Sequence, residues 1–184
     1  MTTEAKFKYA LKEMILTRPL SEINVTLLCS KCGCHRQTFY YHYQDIYDLL
    51  AAIFLTEDIK GLKEAKTVEE ALCDFLKYSK ENFVFIKRAY NSAASDLVDD
   101  FYYGKMMARL FQIFVGQYTT LSKDAIRSLA RRFSKIMADE FGYWFKIVSV
   151  TPTRFERNLK KFIGSSIKIL LPALVDLAKE ENKK

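Results

Sequence analysis

The chain has 184 residues, 49% hydrophobic and 14% aromatic, with only six glycines and three prolines. That balance excludes a disordered, collagen-like or turn-rich β protein and favours an all-α globular fold with a sizeable core. The net charge of +7 admits an acidic partner such as nucleic acid, while charges interrupt every apolar run, so no stretch of about 18 to 20 residues can span a bilayer.

The opening residues, MTTEAKFKYALKEM, lack the apolar core of a signal peptide, so the chain reads as cytoplasmic with no membrane partner. Phe7, Ala10/Leu11 and Met14/Ile15 recur at helical spacing and predict a first helix over 4–17, ended by Pro19. Asn24 is the expected N-cap of a short second helix over 25–32, and Gly33 its left-handed stop. A third short helix over 36–41 follows. Asp45 then caps a helix over 46–63, whose Ile46, Leu49/Leu50 and Ile53/Phe54 form one apolar stripe. Thr67 to Glu70 and Thr153 to Glu156 have capping-box spacing. Further helices are expected over 68–91, 97–118, 123–148 and 154–180, the last kinked by Pro172.

The stretch CSKCGCH, Cys29 to His35, gathers three of the four cysteines. As a zinc site it is too compact, because structural sites join two ligand pairs separated by a dozen or so residues. As a redox motif it is misplaced, since Cys29 and Cys32 fall at the end of a helix and not at its start. Packing is the favoured reading: small, readily buried thiols line the inside of a turn. No metal and no cofactor is expected.

Two short helices joined by a glycine turn match a helix-turn-helix, whose second member enters the major groove of DNA. On that member, residues 35–38 and 40–42 are polar or amphipathic, whereas Phe39 and Tyr43, four apart, face inward. Residues 23–44 carry Lys31 and Arg36 and no acid, a composition suited to phosphates and base edges. An enzyme finds no support: there are two histidines, both beside this helix, and no nucleophile paired with a base.

The stretch INVTLLCSKCGCHRQTFYYHYQDIYDLL, residues 23–50, resembles the TetR family of bacterial transcriptional regulators. The resemblance implies a helix-turn-helix DNA-binding domain over 1–48 and a larger helical regulatory and dimerisation domain over 49–184. It implies that Arg36, Gln37 and Tyr41 read bases, that Asn24, Thr26, Thr38, Tyr40 and His42 hold phosphates, and that the three cysteines stand where the family has Ala or Val. Ile46 departs from the phosphate-contacting Lys common at that place. More narrowly, RQTFYYHYQDIYDLL with RAYNS (Arg88 to Ser92) is similar to the regulators of dihydroxyacetone kinase operons. That likeness implies an activator signalled by a coactivator protein related to a dihydroxyacetone kinase subunit; the alternative is a repressor released by a small molecule bound in the C-terminal domain.

Arg88, Tyr90, Asn91, Tyr102, Tyr103 and Trp144 are the candidates for lining such a ligand pocket, although aromatics at helical spacing are more often core. Two amphipathic stripes near the C-terminus suit either a monomer core or a symmetric four-helix interface. The resemblance implies the interface, a homodimer through Phe133, Met137, Trp144, Phe155, Leu159, Phe162, Ile163 and Ile167. Residues 122–184 also hold fourteen Lys/Arg against seven Asp/Glu. Arg127, Arg131, Arg132, Arg154, Arg157, Lys160 and Lys161 there form either a solvated surface or a docking face for an acidic partner.

Overall fold

The computed structural model describes residues 2–183, and no strand occurs among them. Ten α-helices follow in order: α1 (Thr3–Thr17), α2 (Val25–Cys32), α3 (Arg36–His42), α4 (Ile46–Thr56), α5 (Val68–Glu81), α6 (Phe83–Tyr90), α7 (Ser95–Gln117), α8 (Lys123–Lys146), α9 (Pro152–Ser165) and α10 (Leu171–Glu181). None of the described helices is long and apolar enough to cross a membrane.

Local chemistry sets most of the ends. Asn24, Asp45 and Thr67 cap α2, α4 and α5 through their side chains, as expected from the sequence, and the Thr67–Glu70 box is complete. The second expected box is not formed. Thr151 caps α9 instead, with Pro152 in the first turn, where a missing N–H costs nothing. Glu156 is thereby left to accept from Lys80 and Lys160.

Three long predicted helices are interrupted. The helix expected over 46–63 stops at Thr56, whose hydroxyl donates to the Ala52 carbonyl, and Gly61 takes a left-handed φ of 88° in the turns that follow. The helix expected over 68–91 divides at Asn82, whose side-chain amide bonds the Tyr78 carbonyl and competes with the helical ladder. Before Pro172 the chain forms a π-turn, Ser166–Leu170, in which the Leu171 N–H reaches back five residues to the Ser166 carbonyl. A wide turn thus interrupts the helix just before Pro172.

The chain forms two compact units, residues 1–58 with 83–98 and residues 59–82 with 99–184. This differs from the boundary expected at residue 48, because α4 and α6 both pack on α1. Phe54 lies against Phe85 with ring centroids 5.6 Å apart, and Arg88 Nη1 donates to the Ile15 carbonyl (2.9 Å), one of the acceptors the last turn of α1 leaves open. In the second unit α9 packs on α5 and α8, and α10 on α8. Its core is aromatic: Tyr102 stacks near Phe75, Phe101, Phe141 and Phe145, and Phe155 lies 4.7 Å from Phe145. Phe133, Met137, Phe155, Leu159 and Ile163, expected at a subunit interface, are already buried within this single chain. Trp144, Phe162 and Ile167 are partly exposed.

The two left-handed glycines should respond differently to a methyl group. A Cβ on Gly33 would meet nothing within 4 Å, so Gly33→Ala should cost only the backbone strain of about 1–2 kcal/mol. A Cβ on Gly61 would stand 2.8 Å from an Asp74 carboxylate oxygen, so Gly61→Ala should cost more. Urea unfolding of the two variants checks the order.

Candidate nucleic-acid interface

The site begins with three rings. Phe7 on α1 meets Phe39 on α3 edge-on at 5.4 Å and Tyr43 at 6.4 Å, and Phe39 and Tyr43 lie 5.7 Å apart. Phe39 has no exposed surface and Tyr43 very little, so both face inward as the sequence predicts. The opposite face of α3 is thereby fixed outward. His35, Arg36, Gln37, Tyr40 and Tyr41 are exposed, Tyr41 by 85% and Tyr40 by 51%, while Thr38 and His42 are partly covered.

The connection into α3 is equally determined. Gly33 adopts φ 63°, ψ 33°, the Cys34 N–H donates to the Cys29 carbonyl (3.1 Å), and the Gly33 N–H to the Ser30 carbonyl (3.4 Å). This pair of bonds is a Schellman stop, and it turns the chain from α2 into α3 within three residues. At the other end of α2, Asn24 Oδ1 accepts the Leu27 N–H (2.9 Å), and Asn24 and Thr26 are both exposed.

Three carboxylates enter that a linear reading of 23–44 does not contain. Glu4 Oε1, from the first turn of α1, lies 3.3 Å from His42 Nδ1, so a phosphate held by His42 must compete with it. At the start of α4, Asp45 accepts the Asp48 N–H and Asp48 accepts the Gln44 N–H. Ile46 is buried between them in sequence, so this helix start offers acids in place of a phosphate-binding lysine. Positive charge is supplied elsewhere, by exposed Lys31 and by exposed Lys6 on α1, and both act electrostatically on the Cys32 thiol at the end of α2. Lys6 was missed in the sequence because its proximity depends on how α1 crosses α2.

The cysteines form no ligand set: no cluster of three or more metal-ligating side chains occurs among the described residues. Cys29 is buried, and burial pushes its thiol above the ordinary cysteine range.

The expected ligand-binding residues are divided between the two units. In the first, Arg88 is bonded to α1, Tyr90 is buried, and exposed Asn91 donates to the Lys87 carbonyl. In the second, Tyr102 is buried with its hydroxyl bonded to Ser79 Oγ, and burial pushes its phenol far above the usual range. Tyr103 is partly exposed, and Trp144 Nε1 donates to Glu140 within α8.

No family model matches the sequence, and no curated protein matches it either. Eight chains of solved structures do match by shape. One is a dihydroxyacetone kinase operon activator, DhaS, with 18% identity, a TM-score of 0.58, and coverage of 98% of this chain and 96% of that one. Another is the TetR family repressor AlkX from Dietzia sp. strain DQ12-45-1b, implicated in biodegradation of n-alkanes, with 15% identity, a TM-score of 0.58, and coverage of 95% and 96%. The fold is that of the TetR regulators. The outward face of α3 carries Arg36, Gln37, Tyr40 and Tyr41, which are exposed.

Substitutions on this face should separate two kinds of contact. Arg36→Ala or Gln37→Ala should mainly relax sequence preference, at roughly 1–3 kcal/mol per base contact, whereas Tyr40→Phe should weaken specific and random duplexes alike. Glu4→Gln should tighten binding to both kinds of duplex by removing the carboxylate beside His42. Titrations of each variant with a selected and a scrambled duplex read all three outcomes.

Proposed function

We propose that this chain is a dimeric, sequence-specific DNA-binding transcriptional regulator and not an enzyme. The observation that carries the reading is the outward face of α3, where Arg36, Gln37, Tyr40 and Tyr41 stand exposed while Phe7, Phe39 and Tyr43 fix the helix from behind. Arg36, Gln37 and Tyr41 read base edges; Asn24, Thr26, Thr38, Tyr40 and His42 hold the backbone. Two copies are needed to read two half-sites on one side of a duplex. For that contact the second unit offers Trp144, Phe162 and Ile167 together with the exposed Tyr143, Ile169 (73% exposed) and Leu177.

Within this function we favour an activator of a dihydroxyacetone kinase operon that receives its signal from a coactivator protein related to a kinase subunit. Support comes from the shared fold with an activator of such an operon and from the packing around Tyr102. The polar aromatic expected to line a ligand pocket is instead enclosed by Phe75, Phe141 and Phe145 and satisfied by Ser79. A partner of acidic surface could meet the exposed Arg131, Arg154, Arg157 and Lys161. Arg127, Arg132 and Lys160 are paired with Asp124, Glu181 and Glu156.

Selection from a random-sequence pool should return a site with two-fold symmetry. With a dihydroxyacetone kinase subunit as the probe, Arg131→Glu combined with Arg157→Glu should abolish its binding, and the association rate of the native chain should fall as salt rises. Affinity for the selected duplex should survive both charge reversals. Unchanged binding of the subunit by the variant removes the docking face, and an asymmetric selected site removes the dimer.

A further inference from the structure

The cysteines at the α2–α3 turn are the part of this region that DNA reading leaves unused. In a Schellman stop the side chains at the first and last positions of the longer bond normally make an apolar contact. Here those positions are Cys29 and Cys34, joined by the N–H to carbonyl bond of 3.1 Å. Both are free thiols; Cys29 is 3% exposed and Cys34 partly exposed. The Cys34 thiol is also the strongest charge acting on Cys29, so the two sulfurs lie within reach of each other's field. Cys32 Sγ donates to the Lys6 carbonyl on α1 (3.7 Å), and Cys34 Sγ to the Cys32 carbonyl (3.5 Å).

We propose that Cys29 and Cys34 are an oxidation site: a hydroperoxide converts them to a disulfide that disables DNA reading by α3. The proposal rests on the DNA-binding function above. Cys34, the more accessible, attacks as the thiolate. Its sulfur bonds the terminal peroxide oxygen, the O–O bond breaks, and an alcohol, or water from hydrogen peroxide itself, departs with the proton. The resulting sulfenic acid is then attacked by Cys29 sulfur, the S–S bond forms, the S–O bond breaks, and water leaves. Two thiols and one hydroperoxide thus give one disulfide, one alcohol or water, and one further water; the two electrons lost by sulfur reduce the O–O bond.

The geometry favours this pair. A disulfide needs Cα atoms about 4.4–6.8 Å apart, and the 3.1 Å bond from the Cys34 N–H to the Cys29 carbonyl draws the two backbones together. The bridge also has a structural consequence. Cys29 is buried, so a covalent link to it repositions the Cys34 side chain and the turn that leads through His35 to Arg36 and Gln37 at the start of α3. A displacement of about 1 Å at a base-reading side chain lengthens hydrogen bonds beyond useful range.

The test uses the whole chain, reduced and then treated with hydrogen peroxide, and a duplex that the reduced chain selects from a random pool. Trypsin cuts after Lys31 and Arg36, so in the Cys32→Ala chain, where Cys34 is the one thiol of peptide 32–36, the bridge appears as a linked pair lighter by two hydrogens. Affinity for the selected duplex should fall about tenfold, the order of one lost base contact, and return with dithiothreitol. Cys34→Val and Cys29→Ala should bind normally and ignore peroxide; Cys32→Ala should remain sensitive. Cys29 and Cys34 both left as free thiols after excess peroxide, or a bridge that uses Cys32, would overturn the site. A linked pair with unchanged affinity would overturn the switch alone. A reduced chain that selects no duplex overturns the DNA reading and the switch together, while the peptide map still reports on the thiols.

Discussion

The candidate DNA-binding face depends first on the contact between Phe7, Phe39 and Tyr43. α3 has seven residues, fewer than an isolated helix needs to persist in water, so its existence and its rotation are both set by what it packs against. Phe39 and Tyr43, four residues apart, lie on one side of the helix, and Phe7 meets both edge-on. With these rings fixed, the rotation of α3 has no remaining freedom, and residues 36, 37, 40 and 41 must face solvent. The Schellman stop at Gly33 supplies the second constraint, the direction from which the chain enters the helix. Two hydrogen bonds and three rings therefore define the reading face.

The second unit uses aromatic residues in the opposite way. Tyr102, Phe75, Phe141, Phe145 and Phe155 fill volume, and the polar handle of the tyrosine is satisfied internally: Ser79 donates to the Phe75 carbonyl, so the phenol donates to Ser79. Such a core resists entry of a small molecule, because any ligand must displace packed rings and leave a buried hydroxyl pair unmatched. A signal arriving at the surface has no such obstacle. This packing is what favours the proposed surface signal over a ligand bound beside Tyr102.

The basic excess of the C-terminal third also divides on inspection. Arg132 makes two bonds with Glu181, and Asn182 accepts the Ser122 N–H, so the end of α10 is clasped to α8. Glu156, between Lys160 and Lys80, is pulled down to about 2 by its hydrogen bonds to the two lysines. Its charge, and hence the link between α5 and α9, persists until the pH falls through that value; the exposure of the group keeps its contribution to stability small. These cations are therefore structural, whereas Arg131, Arg154, Arg157 and Lys161 are surface charge without such a role.

Much of this was legible in the chain itself. Asn24, Asp45, Thr67 and Gly33 act through neighbours three or four residues away, and a local rule predicts a local bond; the α3 periodicity likewise announced Phe39 and Tyr43 as inward. What the sequence could not resolve was competition between equivalent partners. Thr151 with Pro152 displaced the Thr153–Glu156 box because Glu156 found two lysines, one of them on α5. The apolar stripes of α8 and α9 suit a core and a subunit interface equally well by periodicity, and only the packing of α9 on α5 and α8 showed Phe133, Met137, Phe155, Leu159 and Ile163 to be interior. Glu4 and Lys6 reached the candidate DNA face only through the crossing of α1 with its neighbours. Local hydrogen bonding was written in the sequence; which surfaces meet was decided by tertiary structure, since a hydrophobic face specifies that it must be covered but not by what.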